Sequence, residues 1–460
     1  MHDTTIEKLA HQLTSRVSSI PTRQLQQASL LLLDTIGCAI AGRQDHGASA
    51  VVDTVISWGG APNCQIIGYS ARTSVANAIL ANGALCRALD LNDYVFRVEG
   101  EQTRLGGHPS DNIPVALAFA EHARATGRTL LEAIVIGYEI FGRVKAFGID
   151  AGEWDGVSYS GLVVPAIACR ILKLSEEQTA DALALSIARS ATSAMVRTGH
   201  ISSAKSIANA LVARSAAEAV LLAAGGVSGP RAVIDHKRGM RSLFSNLKAR
   251  EALVMPMDNS DYIMNARIKP FPCVGTAQCA VEAAIQLNKQ LGGDVSGIGS
   301  LLLEMGDHPT VIRHLADAER ANPTSREAAD HSIPFLVAVA ALDGELGMKQ
   351  FANQRWKDPS VRELMKKIVP ETSERLRRKA PENFACKLEA QTKTRGYSVE
   401  VLAPPGWARE GLVEKAVHAK FHRVTQNVLA QESRDAIVQA VHNLHAAPGI
   451  AEFSDALTSP

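Results

Sequence analysis

Alanine-rich segments with helical periodicity follow one another through the first half of the 460-residue chain. In TTIEKLAHQLTSRV, Ile6, Leu9, Leu13 and Val17 recur at the spacing of one helix face. Comparable segments occupy residues 74–90, 113–126, 129–148, 160–172, 176–194 and 204–225. Because small side chains let neighbouring helices pack closely, this series predicts a large all-helical domain.

The pattern changes after about residue 265. IGSLLLEMG (298–306) is strand-like, and apolar and polar residues alternate in GYSVEVL (396–402). Helical segments lie between these strands, and a helical tail follows them. The predicted fold is therefore mainly α: a helical domain of residues 1–265 plus 405–460, into which a smaller α+β domain of residues 266–404 is inserted.

Charge and composition argue against several function classes. Lys and Arg number 48 and Asp and Glu 47, so no net field favours nucleic acid or an anionic membrane. The first residues lack the pattern of a signal peptide, and no apolar run of about 18 residues predicts a membrane span. The seven cysteines are scattered without a CxxC pair, which is typical of buried thiols in a reducing compartment. We therefore expect a cytoplasmic protein.

A polar loop between two helix-like runs carries an isolated aspartate and an isolated histidine. Asp90 ends ANAILANGALCRALD, where a partly desolvated carboxylate can act as a general base; a solvated cap or an ion pair with Arg87 is the alternative. His108 follows two glycines that let the backbone approach a ligand, although a surface histidine in a capping loop also fits. Ser110 or Asp111 is predicted to cap the next helix, whose free N–H groups favour a carboxylate.

Further charged residues could complete such a site. Lys205 lies on an alanine-rich helix and could hold a carboxylate, or its side chain could reach the surface. Lys269 precedes two prolines at the predicted domain junction, where clefts form. Arg197 could add positive charge near Lys205. For His331, at the start of a predicted helix, capping of that helix by Asp330 is the preferred interpretation.

The sequence carries no cofactor signature. It contains no P-loop, no dinucleotide-binding glycine motif after a strand, no nucleophile elbow and no H-E-x-x-H zinc motif. We therefore predict neither a cofactor nor a metal. The remaining acid, histidine, lysines and arginine suit proton chemistry on an anionic small molecule.

Several motifs together resemble the MmgE/PrpD family. LLLDTIGCAIAG is similar to its N-terminal helix, ANGALCRALDLNDY to its acidic site motif, and HPSDN to its His-Pro-Ser motif. EWDGVSY, HISSAKSIANA, KPFPCVGTAQCAVEAA and SREAADHSIPFLVAVAALDG are similar to further segments of the family. The resemblance runs through most of the chain.

The resemblance implies a helical domain with a smaller α+β lid, usually as a homodimer. It implies catalytic roles for Asp90, His108, Lys205 and Lys269. It implies substrate contacts at Tyr94, Ser110, Tyr159 and Arg197. The implied activity is that of a cofactor-independent lyase of the dehydratase type, which removes a proton next to a carboxylate of a small di- or tricarboxylate such as 2-methylcitrate.

Two positions depart from the family pattern. Gly156 stands where dehydratase-like relatives usually carry histidine, and Thr276 or Gln278 lies where the lid segment often has one. A decarboxylase, or an epimerase acting on a related dicarboxylate, would pass through the same carbanion-like state. A non-catalytic carboxylate-binding dimer is a further alternative. The sequence leaves these alternatives open.

Overall fold

The protein is mainly α-helical, as the sequence predicts. The fold is that of a computed structural model, which describes residues 4–15, 20–99, 102–146, 154–197, 201–242, 247–256, 261–409 and 411–458. Helices dominate these ranges, and small sheets accompany them. The coarse fold class inferred from helical periodicity is therefore confirmed.

The helices of the first part follow the alanine-rich segments. They are α1 (Thr5–Thr14), α2 (Thr22–Gly42), α3 (His46–Trp58), α4 (Val75–Arg87), α5 (Ile113–His122), α6 (Gly127–Ala146), α7 (Ser160–Leu172), α8 (Glu176–Ile187), α9 (Ala204–Ala224) and α10 (Leu247–Leu253). Capping boxes at Thr4 and Ser175 fix the starts of α1 and α8. The sequence interpretation did not include α3 or α10, and it placed the end of α8 too late.

Small residues bring α2, α4 and α9 into close contact. A Cβ added at Gly42 on α2 would overlap the carbonyl oxygen of Leu85 on α4. One added at Gly83 on α4 would lie 2.8 Å from the Cβ of Ala210 on α9. Larger side chains would push these helices apart, because protein interiors are close-packed. Helix α4 is thus held between two neighbours, which fixes the position of the chain just after its last turn.

The stretch between α4 and α5 is a β-hairpin, so the prediction of a polar loop there is wrong. Strands β3 (Tyr94–Glu99) and β4 (Gln102–Gly107) pair antiparallel, and β5 (Ala266–Arg267) pairs with the other edge of β3. The short strands β1 (Cys64–Gln65) and β2 (Arg72–Thr73) form a separate pair. Charges and glycines in the stretch favoured a loop, whereas pairing with the distant β5 is a tertiary contact that a local pattern does not show.

A four-stranded sheet forms the centre of the second part of the chain. Its order is β7-β6-β8-β9, where β6 is Ile298–Gly306, β7 is Ile368–Ser373, β8 is Cys386–Thr392 and β9 is Gly396–Val401. Strands β6 and β7 run parallel, and the other neighbours run antiparallel. In β9, Val399 and Val401 are buried while Ser398 and Glu400 are exposed, which confirms the predicted alternation.

Helices cover this sheet and build a hydrophobic cluster with it. They are α11 (Gln278–Gln290), α12 (Pro309–Ala316), α13 (Ala318–Ala321), α14 (Arg326–Ala329), α15 (Ile333–Asp343), α16 (Pro359–Lys366) and α17 (Glu374–Lys379). Helix α11 packs against β8, β9 and α15. Most of the buried apolar side chains between Phe271 and Val401 form one cluster, and most of those of the first part form another.

The C-terminal helices return to the first cluster. They are α18 (Glu414–Thr425), α19 (Gln431–Asn443) and α20 (Ala451–Ala456). Helix α18 packs on α2, where the ammonium of Lys420 lies 2.6 Å from the carboxylate of Asp34. Lys420 also donates to the carbonyl oxygen of Leu91 at 2.8 Å. The tail of the chain therefore supports the segment that follows α4.

Two helices are long and apolar enough to cross a membrane by length and composition, contrary to the expectation from sequence. They are α2 and α9. In the most apolar 18-residue stretch of each helix, the buried share is 83% for α2 and 56% for α9. Helices in the core of globular folds meet the same criterion, so the finding is weak evidence for a membrane span.

Candidate active site

Asp90 lies at the centre of a buried cluster of charges. The chain leaves α4 after Arg87 and turns back, with the amide of Asp90 donating to the carbonyl of Arg87 at 3.3 Å. The backbone of Asp90 has a φ of 48°, in the left-handed region that aspartate tolerates better than bulkier residues. The side chain is 3% exposed. The helix end thus places a carboxylate in the interior.

Positive groups from separate parts of the chain surround this carboxylate. Arg87 donates to Asp90 Oδ1 at 2.5 Å, and Lys269 Nζ lies 2.9 Å from the same oxygen. Lys205 Nζ lies 3.8 Å from Oδ2. Burial by itself raises the pKa of Asp90, but these positive charges outweigh burial and hold the pKa well below its ordinary value. Asp90 is therefore ionised at neutral pH, and the ion pair with Arg87 is part of the cluster.

Lys269 reaches the cluster from the segment after β5. Its side chain is fully buried, and Nζ donates to the backbone carbonyl of Asp90 at 2.8 Å as well as to the carboxylate. The next residue, Pro270, is held by Arg423, whose guanidinium donates to its carbonyl at 2.6 Å. Burial lowers the pKa of Lys269, and the charge of Asp90 offsets part of that effect. A lysine of lowered pKa exchanges a proton near neutral pH more readily than an exposed one.

Lys205, on the first turn of α9, links the cluster to a second carboxylate. Its Nζ donates to Asp330 Oδ1 at 3.2 Å and lies 3.0 Å from His331 Nδ1. The side chain is buried, so the alternative in which it reaches the surface is wrong. Burial lowers the pKa of Lys205, whereas Asp330 and Asp90 raise it. The ammonium is thus shared between two carboxylates.

The helix that follows His331 begins differently from the prediction. Ser332, and not Asp330, caps α15, because its hydroxyl accepts from the amide of Phe335 at 3.3 Å. Pro334 in the first turn marks the same start, since proline is favoured there and serine is a strong cap before it. That signal was available in the sequence, and it leaves Asp330 and His331 for another role.

His331 belongs to the charged cluster, which the sequence interpretation did not predict. Its Nε2 lies 3.5 Å from Asp90 Oδ2, and its Nδ1 contacts both Asp330 and Lys205. Burial and the ammonium of Lys205 lower the pKa of His331 to about 4, so the ring is neutral at neutral pH. The ring nitrogen that carries the proton depends on whether Nδ1 donates to the carboxylate or accepts from the ammonium.

His108 faces the other oxygen of the Asp90 carboxylate. Its Nε2 lies 4.0 Å from Oδ1, and its Nδ1 donates to the carbonyl of Asp93 at 2.5 Å. Because a carbonyl only accepts, this contact fixes the proton on Nδ1 and leaves a lone pair on Nε2. Burial, together with the charges of Arg87 and Lys269, holds the pKa of His108 well below its ordinary value. The ring is therefore neutral, with an available proton acceptor.

Asp93 anchors the segment that carries His108. Its carboxylate accepts from the hydroxyl of Ser110 and from that of Tyr138, the latter at 2.7 Å. Burial raises the pKa of Asp93 to about 7, although these hydrogen bonds act in the opposite direction. Because its carbonyl sets the tautomer of His108, Asp93 is a positioning residue.

The residues predicted to cap α5 have other partners. Helix α5 begins after Asn112 without a side-chain cap, and a single 3-10 turn, Pro109–Asn112, precedes it. Asn92 donates to Ser110 Oγ at 2.9 Å and to Asp111 Oδ1 at 2.8 Å. The prediction that Ser110 or Asp111 caps α5 is therefore wrong, because both side chains bind the segment after α4 instead.

A cavity of about 740 Å³ opens beside the charged cluster. His108, Trp154, Gly156, Asn209, His314 and His331 are among the residues that line it. Its basic side chains are Arg87, Lys145, Arg197, Lys269, Arg313 and Arg320, and its acidic ones are Asp90, Asp111, Asp155, Asp317 and Glu319. The volume is that of an ordinary small-molecule site, and arginine and lysine are suited to binding carboxylates.

The predicted substrate contacts divide into two groups. Arg197 lines the cavity, where its Nε donates to Asp155 Oδ2 at 2.7 Å. Tyr94, Ser110 and Tyr159 are fully buried, and their side chains are not part of the cavity lining. The structure thus brings Arg197 to the cavity and places the other three in the packing around it.

The positions that depart from the family pattern lie at or next to the cavity. Gly156 lines it directly. The hydroxyl of Thr276 is 2.9 Å from Nδ1 of His314, which lines the cavity from α12. Burial, with a smaller effect of Arg320, lowers the pKa of His314 to about 2. A neutral imidazole is therefore present beside Thr276, although it comes from another helix.

Asp90, Asp330 and His331 also offer a possible set of metal ligands. One ligand atom from each lies within 4.8 Å of the others. The two carboxylates, however, already contact the ammonium groups of Lys205 and Lys269 at 2.9–3.8 Å. A divalent cation here would lie beside these positive charges, so the donor set suits the ammonium groups better than a metal.

Known proteins are similar in sequence to this chain over most of its length. The MmgE/PrpD N-terminal domain matches residues 7–252, and the MmgE/PrpD C-terminal domain matches residues 271–445. Cis-aconitate decarboxylase of Aspergillus terreus is 22% identical, over 96% of this chain and 93% of its own. Cis-aconitate decarboxylase of Homo sapiens is 23% identical, over 93% and 89%. The mitochondrial 2-methylcitrate dehydratase of Yarrowia lipolytica is 25% identical, over 75% and 68%.

The N-terminal match contains Asp90, His108 and Lys205, the C-terminal match contains His331, and Lys269 lies between the two matched ranges. Together they account for well over half of the chain, and the chain therefore belongs to the MmgE/PrpD family.

Proposed function

We propose that this protein is a cofactor-independent lyase of the dehydratase type that acts on a small di- or tricarboxylate. The supporting observation is the arrangement around Asp90: a buried, ionised carboxylate held by Arg87 and Lys269, with a neutral histidine at each of its oxygens. Among the described residues, Asp90 Oδ2 accepts no hydrogen bond. Its nearest charged or ionisable neighbours are His331 Nε2 at 3.5 Å and Lys205 Nζ at 3.8 Å. The relatives named as a dehydratase and a decarboxylase support the same class of chemistry.

His108 is the proposed base. Its Nε2 carries the lone pair and would remove a proton from the carbon next to a substrate carboxylate. The ammonium groups of Lys205 and Lys269 would stabilise the negative charge that then spreads onto that carboxylate. Asp90 keeps both ammonium groups in place, since its carboxylate lies 2.9 Å from Lys269 Nζ and 3.8 Å from Lys205 Nζ.

His331 and Lys205 are the proposed acid. When Nδ1 of His331 accepts from the ammonium at 3.0 Å, Nε2 carries a proton and faces Asp90. That proton would pass to the leaving hydroxyl, which departs as water. A carbon–hydrogen and a carbon–oxygen bond break, and a carbon–carbon double bond forms. Lys205 would then return a proton to the ring through Nδ1.

Decarboxylation is the second candidate, because a relative with that name matches 96% of this chain. Loss of carbon dioxide leaves an electron pair that the same ammonium groups would stabilise, and His331 would protonate the carbon. An epimerase would instead return a proton to the same carbon. All of these reactions use the same side chains, so product analysis must separate them.

We also propose that residues 266–404 act as a lid. Lys269 and His331 come from this part of the chain, whereas Asp90 and His108 come from the helical part. Movement of the lid would assemble or open the cluster around Asp90. The homodimer expected from the family resemblance remains a prediction, which light scattering on the purified protein would test.

Proton NMR of the purified protein in heavy water tests the lyase proposal directly. The substrates are 2-methylcitrate, citrate, cis-aconitate and iminodisuccinate. A new alkene signal from 2-methylcitrate or citrate is the expected result. Loss of a carboxyl group from cis-aconitate would assign a decarboxylase, and deuterium entry without elimination would assign an epimerase. Calorimetric binding of these acids with no spectral change would refute the lyase and favour a non-catalytic carboxylate-binding protein.

A further inference from the structure

The space beside Gly156 is filled by a lysine from another element. A Cβ added at Gly156 would overlap the Nζ of Lys145. Gly156 opens a short 3-10 turn, Gly156–Tyr159, and its φ lies outside the left-handed region that favours glycine. A side chain at position 156 would therefore have to displace the end of the Lys145 side chain, whereas the backbone conformation there does not demand glycine.

Lys145 presents its ammonium to the cavity from the last turn of α6. The Nζ lies 5.0 Å from the ring centre of Tyr159 and 5.9 Å from that of Phe141, so aromatic faces hold it in place. Its Cε is 3.9 Å from the Cβ position of Gly107, the residue directly before His108. Lys145 therefore lies on the same wall as the proposed base.

We propose that Lys145 binds a substrate carboxylate other than the one next to the reacting carbon, and that Gly156 is a positioning residue that keeps room for it. The inference rests on the proposed function and narrows its substrate class. The lysines around Asp90 serve the carboxylate at the reacting carbon, and Lys145 serves a further one. A tricarboxylate offers a carboxylate to each place and keeps a third, so we expect the site to favour tricarboxylates over short dicarboxylates.

Calorimetric titration with tricarballylate and with malonate, whose two carboxylates share one carbon, tests this assignment without requiring turnover. Lys145→Met should weaken tricarballylate binding by about 10- to 100-fold, since a charge-assisted contact is lost, and malonate binding by less than about threefold. Lys145→Arg should bind tricarballylate within about fivefold of the unmodified protein. Lys289→Met, at an exposed position of α11, is the control and should bind both acids normally. Unchanged tricarballylate affinity in Lys145→Met would overturn the assignment.

A double-mutant cycle tests the role of Gly156. The added methyl group of Gly156→Ala should displace the ammonium and weaken tricarballylate binding by about three- to tenfold. In the Lys145→Met background the same change should have less than about a twofold effect, because no ammonium remains to be displaced. Equal weakening in both backgrounds would overturn the positioning role, because a merely structural role of Gly156 predicts that result.

The outcomes also separate this inference from the lyase proposal. If no acid in the NMR panel reacts but Lys145→Met still weakens tricarballylate binding, the lyase proposal fails and the carboxylate site stands. If the unmodified protein reacts with the panel but its tricarballylate affinity is independent of Lys145, the inference fails alone. Absence of any tricarballylate binding to the unmodified protein would also overturn the inference.

Discussion

His108 and His331 face the two oxygens of one carboxylate, but the fold holds the two rings in different ways. His108 donates to a backbone carbonyl, that of Asp93. His331 contacts two charged side chains, the carboxylate of Asp330 and the ammonium of Lys205. A carbonyl does not titrate, so His108 keeps its tautomer wherever the fold is stable. The partners of His331 do titrate, and its proton can move between the two ring nitrogens.

This difference agrees with the different steps proposed for the two histidines. A fixed lone pair is what a general base requires, and a proton that can be resupplied is what a general acid requires. The two histidines are also positioned by different parts of the fold. The segment between β4 and α5 positions His108 within the helical part, whereas contact between the helical part and the second part positions His331. Opening of the proposed lid would therefore release His331 from Lys205 and leave His108 in place.

Replacement of Asp90 should have the largest effect, because its carboxylate lies at the centre of the charged cluster. Asp90→Asn removes the nearest counter-charge of the buried Arg87 and Lys269. We expect turnover to fall a hundredfold or more and the free energy of unfolding to fall by roughly 3 kcal/mol. Steady-state kinetics and urea denaturation measure the two effects.

Asp343→Asn is the control for that experiment, since Asp343 is ion-paired with Arg355 away from the cavity. Its turnover should stay within about twofold of the unmodified protein. If Asp90→Asn retained turnover within about threefold, the central carboxylate would have no part in the chemistry.

His108→Asn should lower kcat by about a hundredfold while changing KM little. Asparagine can still donate to the Asp93 carbonyl, because its Nδ2 takes the place of Nδ1, but it offers no basic nitrogen at the position of Nε2. His122→Asn, at the exposed end of α5, is the matched control. Retention of normal kcat in His108→Asn would transfer the role of base to another residue.

The sequence predicts those parts of the site that local pattern and family resemblance describe. Helical periodicity located α4 and α9, and the motifs on them pointed to Asp90 and Lys205. The glycines before His108, the prolines after Lys269 and the family motifs pointed to these two residues. The structure brings all four residues to one cluster. Their roles in catalysis remain predictions.

The parts that were missed depend on contacts between distant segments. The hairpin of β3 and β4 gains its third strand from β5, and Asp330 gains its counter-charge from Lys205, 125 positions earlier. Neither contact can be predicted from the residues next to it in the sequence. Asp330 beside a helix start is a plausible cap on propensity alone, and only the position of Ser332 before Ile333-Pro334 argues otherwise.

His331→Gln should lower turnover by about a hundredfold, no more than His108→Asn, and should also change how stability depends on pH. The pKa of His331 is about 4 in the folded protein, below its ordinary value of 6.5. Between these values the unfolded chain binds more protons, so the free energy of unfolding of the unmodified protein rises as pH increases through this window. The rise should be less steep in His331→Gln. Urea denaturation at pH 4.5 and 6.5 measures it, and equal slopes would contradict the proposed burial of a neutral ring.

Ser332→Ala should have the smallest effect and separates capping from chemistry. Loss of the hydroxyl that accepts from Phe335 should lower the free energy of unfolding by about 1 kcal/mol, with kcat within about twofold. Asp330→Asn leaves the cap intact but removes a carboxylate 3.2 Å from Lys205, so it should lower kcat and also lower the free energy of unfolding by roughly 3 kcal/mol. If Ser332→Ala were neutral and Asp330→Asn lost about 1 kcal/mol with normal kcat, Asp330 would be the cap after all. The contact between His331 and Asp330 would then not matter for catalysis, and the contrast between His331 and His108 could not be attributed to ion pairs.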